Sequence, residues 1–214
     1  MPVRFKRPFL LCLALFFTLA VDAFASTLRD EDLMCNSHWA IRHNAIVGTV
    51  DLNSFTFPEI KPIKEGHYDL ASASGEQLQQ IATSVIQPYI DKKLSITVND
   101  KTYPIRVTKL VMSGNGAVVI WLSANNVSFG MPVNHVKIVY SLLFEETENL
   151  HSNLAAGYLS DATGDALQLV FDLSHPEFQS TFDALHTVWQ FSVKRGASAA
   201  ATAQKRSQEV GSSN

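Results

Sequence analysis

The sequence predicts a mainly β protein: an antiparallel β-sandwich of seven or eight strands with one inserted amphipathic helix at about residues 75–91. Three observations predict this class. Apolar and polar residues alternate along most of the chain, turn residues separate the alternating runs, and one stretch has clear helical spacing. Strands that follow one another through turns, rather than alternating with helices, are typical of sandwiches.

Residues 1–25 have the features of an export signal. Basic residues in segment 4–7 precede an apolar run over 9–21, and Ala23-Phe24-Ala25 is a small-x-small cleavage site. The run is shorter than the roughly 20 apolar residues that a membrane-spanning helix needs. We therefore expect cleavage before Ser26 and a soluble periplasmic protein that does not span the membrane; an uncleaved N-terminal anchor is the alternative.

Composition excludes some partners. The chain carries 17 Lys and Arg against 20 Asp and Glu, and loss of the basic signal makes the mature chain still more acidic. Without a basic stripe, nucleic-acid binding is not expected. Cys12 lies in the signal, so Cys35 has no intramolecular disulfide partner in the mature chain. Cys35 is then a buried small side chain, an intermolecular partner, or a metal or redox ligand.

The first predicted elements lie between residues 37 and 93. Alternation over 37–57 indicates one strand, or two that meet near 42–44, and the prolines of 58–66 indicate a loop. Ser74 and Gln77 match a capping box at the start of the helix. Pro88 cannot fit a regular helix interior, so we expect a kink near Gln87.

The second half of the chain returns to strand periodicity. Asn99-Asp100 predicts the turn of a hairpin whose second strand continues through Tyr103, Ile105 and Val107. The remaining predictions are a buried strand at 117–123, a polar loop at 125–134, a strand at 136–144, and a final hairpin formed by 154–159 and 167–173 around a turn at 161–165.

The C-terminal part divides at Gly196. Phe182, Leu185, Val188 and Trp189 have helical spacing, so residues 178–196 are predicted as an amphipathic, juxtamembrane-like segment beyond the sandwich domain of 26–177. Residues 197–214 contain one large aliphatic side chain and no aromatic one, which predicts a disordered tail.

Two clusters are candidates for chemistry. Cys35, His38 and His43 combine sulfur and imidazole, which suit Cu or Ni, although the fold needs no metal; a buried thiol beside an ordinary edge-strand histidine is the alternative. Glu145 or Glu148 with His151 has the residue types of acid–base catalysis, and a solvated strand end is the alternative. No nucleophile elbow of the serine-hydrolase type occurs in the sequence.

The order of elements adds a family resemblance. A capped helix ending in Tyr89-Ile90, the turn within 94–101, the run from Tyr140 to His151 and a strand with Phe171 together resemble the extracytoplasmic N-terminal domain of HupE/UreJ-type membrane proteins. The resemblance covers about residues 44–195. It implies an ectodomain fold and a lineage associated with transport of nickel or other metals.

The sequence also departs from that family. An acidic loop usually precedes the helix, but here the stretch before Ser74 keeps only Glu65 and Asp69. The Trp189-Gln190-Phe191 segment resembles the junction to the family's membrane helices, yet a polar tail follows Gly196. The transport residues would lie in those helices, so the resemblance does not assign transport to these residues.

Three functions are consistent with the sequence. The first is a soluble, exported, non-enzymatic binding or accessory domain that presents a transition metal or a partner to a membrane protein. The second is a truncated or split remnant of a membrane transporter that acts as a protein-interaction module, with 178–193 docking on a membrane partner. The third is a periplasmic hydrolase.

Overall fold

The computed structural model describes residues 33–68, 70, 72–113, 116–159, 167–170 and 178–195, the segment 167–170 by its backbone alone. These residues are mainly β, as predicted. The strands in chain order are β1 Met34–Arg42, β2 Ala45–Leu52, β3 Leu94–Val98, β4 Lys101–Tyr103, β5 Ile105–Met112, β6 Val118–Asn125, β7 Val133–Tyr140, β8 Ser152–Leu159, β9 Leu167–Val170, β10 Gln179–Phe182 and β11 Val188–Arg195.

The described strands form two sheets. One has six strands in the order β10-β8-β1-β2-β6-β5, and the other has five in the order β4-β3-β7-β11-β9. Inward side chains of both sheets form one hydrophobic cluster that includes Trp39, Tyr140 and Trp189. The strands outnumber the predicted seven or eight, and β1 pairs with β8 in parallel, so the antiparallel prediction has one local exception.

The predicted N-terminal strands are confirmed as a pair. β1 and β2 join through the turn at His43-Asn44 and pair in an antiparallel register that sets His38 opposite Thr49. Along β1 the buried and exposed residues alternate, which is the period of two in the sequence. This alternation places Cys35 on the inner face and His38 on the outer face.

The helix begins where the sequence predicts. The Ser74 hydroxyl accepts a hydrogen bond from the Gln77 amide, and the Gln77 side chain accepts one from the Ser74 amide, which completes the capping box. The helical segment runs through α2 Gly75–Ile81, a π turn at Ala82–Ile86 and α3 Gln87–Lys93.

The predicted loop at 58–66 is wrong in part. A short 3₁₀ turn at Phe57–Glu59 and the helix α1 Lys61–Gly66 occupy it. Pro62 lies in the first turn of α1, where the amide hydrogen that proline lacks has no intrahelical acceptor. A proline that signals a loop is therefore equally compatible with the start of a helix.

The chain changes sheets at Pro104. The Asn99-Asp100 turn is confirmed, and both residues have positive φ, as a tight hairpin turn requires. The predicted continuation of that hairpin is wrong, because β4 ends at Tyr103 and β5 belongs to the other sheet. Gln87 fastens β5 to the helix: its side chain accepts from the Val107 amide at 2.7 Å and donates to the Ile105 carbonyl at 2.9 Å.

The helical spacing within 178–193 does not correspond to a helix. Residues 179–182 and 188–195 are β10 and β11, one in each sheet, and Trp189, Phe191 and Val193 alternate into the core. Gly157 in β8 is required there, since the ring of Phe178 lies where a β-carbon would project. Of the four residues with helical spacing, Phe182 and Trp189 are buried in the core, whereas Leu185 and Val188 are exposed.

The predicted final hairpin is also wrong, because β8 and β9 belong to different sheets. The signal at 1–25, the turn at 161–165 and the tail at 197–214 lie outside the described residues. None of the helices in the described part of the chain has the length and apolar character that crossing a bilayer requires.

Candidate functional site

The structure does not bring the three predicted metal ligands together. The Cys35 thiol is buried, with Sγ 3.4 Å from the Thr56 hydroxyl oxygen, and burial raises its pKa. His38 is exposed on the opposite face of the sheet, where its Nε2 lies 3.9 Å from an Asp51 carboxylate oxygen. His43 lies in the turn after β1. Among the described residues, no group of three or more His, Cys, Asp or Glu side chains is arranged to hold a metal ion.

The glutamates near His151 occupy a different environment from the imidazole. Glu145 is exposed and pairs with Lys93 at 2.8 Å, and that ammonium lowers the pKa of Glu145. His151 is 1% exposed, and its Nε2 lies 3.2 Å from the Tyr140 hydroxyl. The described hydrogen bonds of His151 therefore join it to the core and not to the surface carboxylates.

His151 belongs to a buried polar cluster, which we define as Ser37, Trp39, Tyr140, His151 and Asn153. The Trp39 indole donates to the Ser37 hydroxyl at 3.1 Å, and that hydroxyl donates to the Asn153 side chain at 2.6 Å. Burial lowers the pKa of His151 to about 4 and raises that of Tyr140 well above its ordinary value. Every member is therefore neutral near pH 7, as a closed interior requires.

A groove of about 500 Å³ lies beside the helix, between α1, the segment Ala82–Lys93 and the turns that follow β7. We call it the helix groove. Its size is within the range of small-molecule sites. Its charged lining residues are three lysines and three glutamates: Lys61, Lys92, Lys93, Glu65, Glu145 and Glu146.

The helical wall of this groove is irregular because of Pro88. Proline has no amide hydrogen, and its ring crowds the carbonyl four residues back, so a regular α-helix cannot continue through it. The structure places a π turn directly before it, in which the Gln87 amide bonds to the Ala82 carbonyl five residues back. The irregularity predicted near Gln87 takes this form. Ser84, Val85 and Pro88 of this stretch line the groove, and π turns are frequent at functional sites.

The segment that leads to the lining residues Glu145 and Glu146 contains strained backbone. Leu143 is fully buried and has a φ of 66°, a conformation that costs a non-glycine residue on the order of 1–2 kcal/mol. Its amide donates to the Tyr89 hydroxyl at 2.9 Å, and its carbonyl accepts from the Thr147 hydroxyl at 2.7 Å. The Lys93 carbonyl accepts from the Ser141 amide at 2.8 Å. The helix thus fixes the strained segment that precedes Glu145 and Glu146, two residues of the groove lining.

Four of the six charged side chains that line the groove form ion pairs. Lys61 pairs with Glu65 at 3.9 Å, and Lys93 pairs with Glu145. Lys92 and Glu146 form no ion pair within the part of the chain that the structure describes. The Oε2 atom of Glu146 is buried without a hydrogen-bond partner.

The pKa of the Tyr89 hydroxyl depends on burial and on the charges that line the groove. Burial raises the pKa of its hydroxyl far above the ordinary value, and the negative charge of Glu146 raises it further. Tyr89 therefore stays neutral and keeps its hydroxyl available to the Leu143 amide. The lining combines neutral aromatic surface, two closed ion pairs and two unpaired charges of opposite sign.

The groove was not predicted from the sequence. Pro88 gave a local signal, since a proline within helical periodicity indicates an irregular turn. No signal in the sequence indicated that Lys92 and Glu146 line the same groove, because this depends on how the turns after β7 pack on the helix. No family model matches the sequence, and no curated protein is significantly similar to it.

Proposed function

We propose that the chain is an exported, non-enzymatic binding or accessory domain and that the helix groove is its binding site. The observation that carries the proposal is the buried Oε2 of Glu146, which lacks a hydrogen-bond partner in a groove of ligand size. Leaving a buried carboxylate oxygen unpaired costs free energy, and a bound group that donates a hydrogen bond removes this cost.

Two further observations support the groove as the site. The π turn before Pro88 contributes to the groove lining, and the strained, buried Leu143 lies two residues before the lining residue Glu145; both kinds of irregularity concentrate at functional sites. The resemblance to HupE/UreJ-type ectodomains and the relation to Cu or Ni remain predictions. Because Cys35 and His38 lie on opposite faces, the metal relation has no support from their placement and is not part of the proposal.

Thermal unfolding with small-molecule probes tests the binding site. The probes are amino acids, dipeptides, sugars, nucleosides and inorganic phosphate, each at millimolar concentration. A ligand present at 100 times its dissociation constant adds about 2.7 kcal/mol to stability, which is several degrees in a domain of this size. We expect at least one class to raise the melting temperature of the wild-type protein.

A filled groove provides the control. Ser84→Trp places a large side chain at an exposed, groove-lining position, whereas Thr181→Trp does so at an exposed position on β10. The shift is expected to disappear in the first variant and persist in the second. No shift with any class, or an equal shift in both variants, would refute the helix groove as the site.

Export requires a separate measurement. We expect the protein from the extracytoplasmic fraction to have a mass that corresponds to a chain beginning at Ser26. A chain that retains residues 1–25 in that fraction, or a protein confined to the cytoplasm, contradicts the export part of the proposal.

A further inference from the structure

We propose that the helix groove binds small zwitterions, molecules that carry one ammonium and one carboxylate group, with Glu146 facing the ammonium and Lys92 the carboxylate. This inference rests on the proposed function, because it names the ligand class of the same site. Free amino acids and short peptides share this chemistry.

The inference is based on which charged side chains of the groove form ion pairs and which do not. Four of its six charged side chains neutralise one another in the pairs Lys61–Glu65 and Lys93–Glu145. What remains in the described lining is one cation, Lys92, and one anion, Glu146. A ligand with a single charge satisfies one of these groups and leaves the other without a counter-charge. A zwitterion satisfies both and adds no net charge.

The closed pairs also restrict how the groove accepts a ligand. Lys93 has a side chain that is only 15% exposed, and its ammonium lowers the pKa of Glu145, with Lys61 a smaller contributor in the same direction. The Lys93–Glu145 pair is short at 2.8 Å, so a ligand that used either charge would have to break it, whereas the exposed Lys61–Glu65 contact at 3.9 Å is weak. Lys92 and Glu146 form no described ion pair, although Glu146 interacts with the Tyr89 hydroxyl, so a ligand that used them would break no ion pair.

The apolar lining suits the body of such a ligand. Val85, Pro62 and Pro88 supply aliphatic surface, and Tyr68 and Tyr89 supply aromatic surface. An ammonium near a tyrosine ring gains additional attraction from the ring face. A volume of about 500 Å³ accommodates a single amino acid or a short peptide.

Calorimetric titration of the wild-type protein with ligands that carry both charged groups or only one of them tests the inference. L-alanine has both charges, alaninamide lacks the carboxylate, and N-acetylalanine lacks the ammonium; dialanine keeps both at a greater separation. We expect alanine or dialanine to bind at least tenfold more tightly than either singly charged analogue, because each lost contact involves a charged group. Preference between the two zwitterions distinguishes an amino-acid site from a peptide site.

Two variants assign the contacts. Lys92→Gln is expected to weaken zwitterion binding about tenfold or more and to leave alaninamide binding unchanged. Glu146→Gln is expected to weaken zwitterion binding similarly and to leave N-acetylalanine binding unchanged. Lys64→Gln and Glu148→Gln remove exposed charges that do not line the groove, and both are expected to bind as the wild type does.

The outcomes separate the two proposals. If another class such as phosphate or sugars binds and is blocked by Ser84→Trp, the groove remains the binding site and the zwitterion inference is wrong. If the singly charged analogues bind as tightly as alanine and dialanine, the inference is also wrong. If no probe binds, both fail. The comparison of zwitterionic and singly charged ligands uses only the wild-type protein, so a variant that fails to fold does not prevent the test.

Discussion

The helix groove and the buried polar cluster both collect polar side chains, yet they differ in charge and access. The cluster lies in the core and consists of groups that are neutral near pH 7, joined by hydrogen bonds such as that from Ser37 to Asn153. The groove is open and lined by charged groups, including Lys92 and Glu146. The hydrogen bonds of the cluster specify the fold, although His151 Nδ1 and Asn153 Nδ2 have no hydrogen-bond partner among the described residues. In the groove, Lys92 and Glu146 form no described ion pair, and this is the basis of the binding proposal.

Truncating one aromatic side chain in each region is expected to give the largest difference between the regions in the free energy of unfolding. Tyr140 is fully buried and stacks on Phe182 with ring centroids 4.9 Å apart, so Tyr140→Ala is expected to cost about 3–5 kcal/mol. Tyr68 in the groove is 42% exposed, and Tyr68→Ala is expected to cost less than about 1 kcal/mol. Urea unfolding measures both. Equal costs would contradict the assignment of one region to the core and the other to the surface.

Acid should destabilise the protein through the cluster. Burial lowers the pKa of His151 to about 4, below the ordinary 6.5 of an exposed histidine. The unfolded chain therefore binds a proton first as the pH falls. The stability that His151 contributes is complete above pH 6.5 and is lost towards pH 4, by about 3 kcal/mol in total.

The measurement is urea unfolding from pH 7 to pH 4 in the wild type and in His151→Gln. The difference between the two profiles isolates His151 from other titrating groups. His43→Gln, which changes an exposed histidine in the turn after β1, serves as the control and should follow the wild type. Parallel profiles for wild type and His151→Gln would contradict a buried, neutral imidazole.

Removing the Tyr89 hydroxyl should affect both stability and binding. Tyr89→Phe leaves the buried Leu143 amide without its acceptor, at a cost of about 1–3 kcal/mol. Because this bond fixes the segment that leads to the lining residues Glu145 and Glu146, ligand affinity is expected to fall as well. Tyr103→Phe is matched to it, since the Tyr103 hydroxyl accepts from the Ser128 amide at 3.1 Å away from the groove. A variant pair with equal loss of ligand affinity would show that the effect is not local.

The smallest effect is expected at Cys35. Cys35→Ala removes one buried sulfur and is expected to cost about 1 kcal/mol. Because the thiol faces the core, the same change should leave calorimetric titrations with Cu and Ni unchanged. Loss of a binding heat in Cys35→Ala would restore the metal prediction for this residue.

Local chemistry accounts for the parts of the fold that the sequence predicted. The capping box at Ser74 and Gln77 and the turn at Asn99-Asp100 depend on residues within a few positions of one another, so their geometry can be inferred without the rest of the chain. The alternation in β1 similarly identifies its buried face. It does not show that Cys35 and His38, three residues apart, must point to opposite sides unless the strand is continuous between them.

Tertiary packing decides the parts that the sequence did not predict. In 182–193 the spacing of Phe182, Leu185, Val188 and Trp189 matches a helix, while Trp189, Phe191 and Val193 match a strand. Both periods are present, and pairing of β11 with β7 and β9 selects the second. The groove depends in the same way on contacts between distant segments, such as the bond from Leu143 to Tyr89.

The parallel pairing of β1 with β8 determines when the six-stranded sheet can be completed. β1 pairs with β2, which follows it directly in the sequence, but the strand that pairs with its other edge, β8, comes more than a hundred residues later. While the chain is being made or moved, that edge carries unpaired amide and carbonyl groups, which are a template for intermolecular association. Folding that ends with such a distant contact is slow. The exposed edge of β1 is therefore a site of aggregation until β8 has been synthesised and has paired with it.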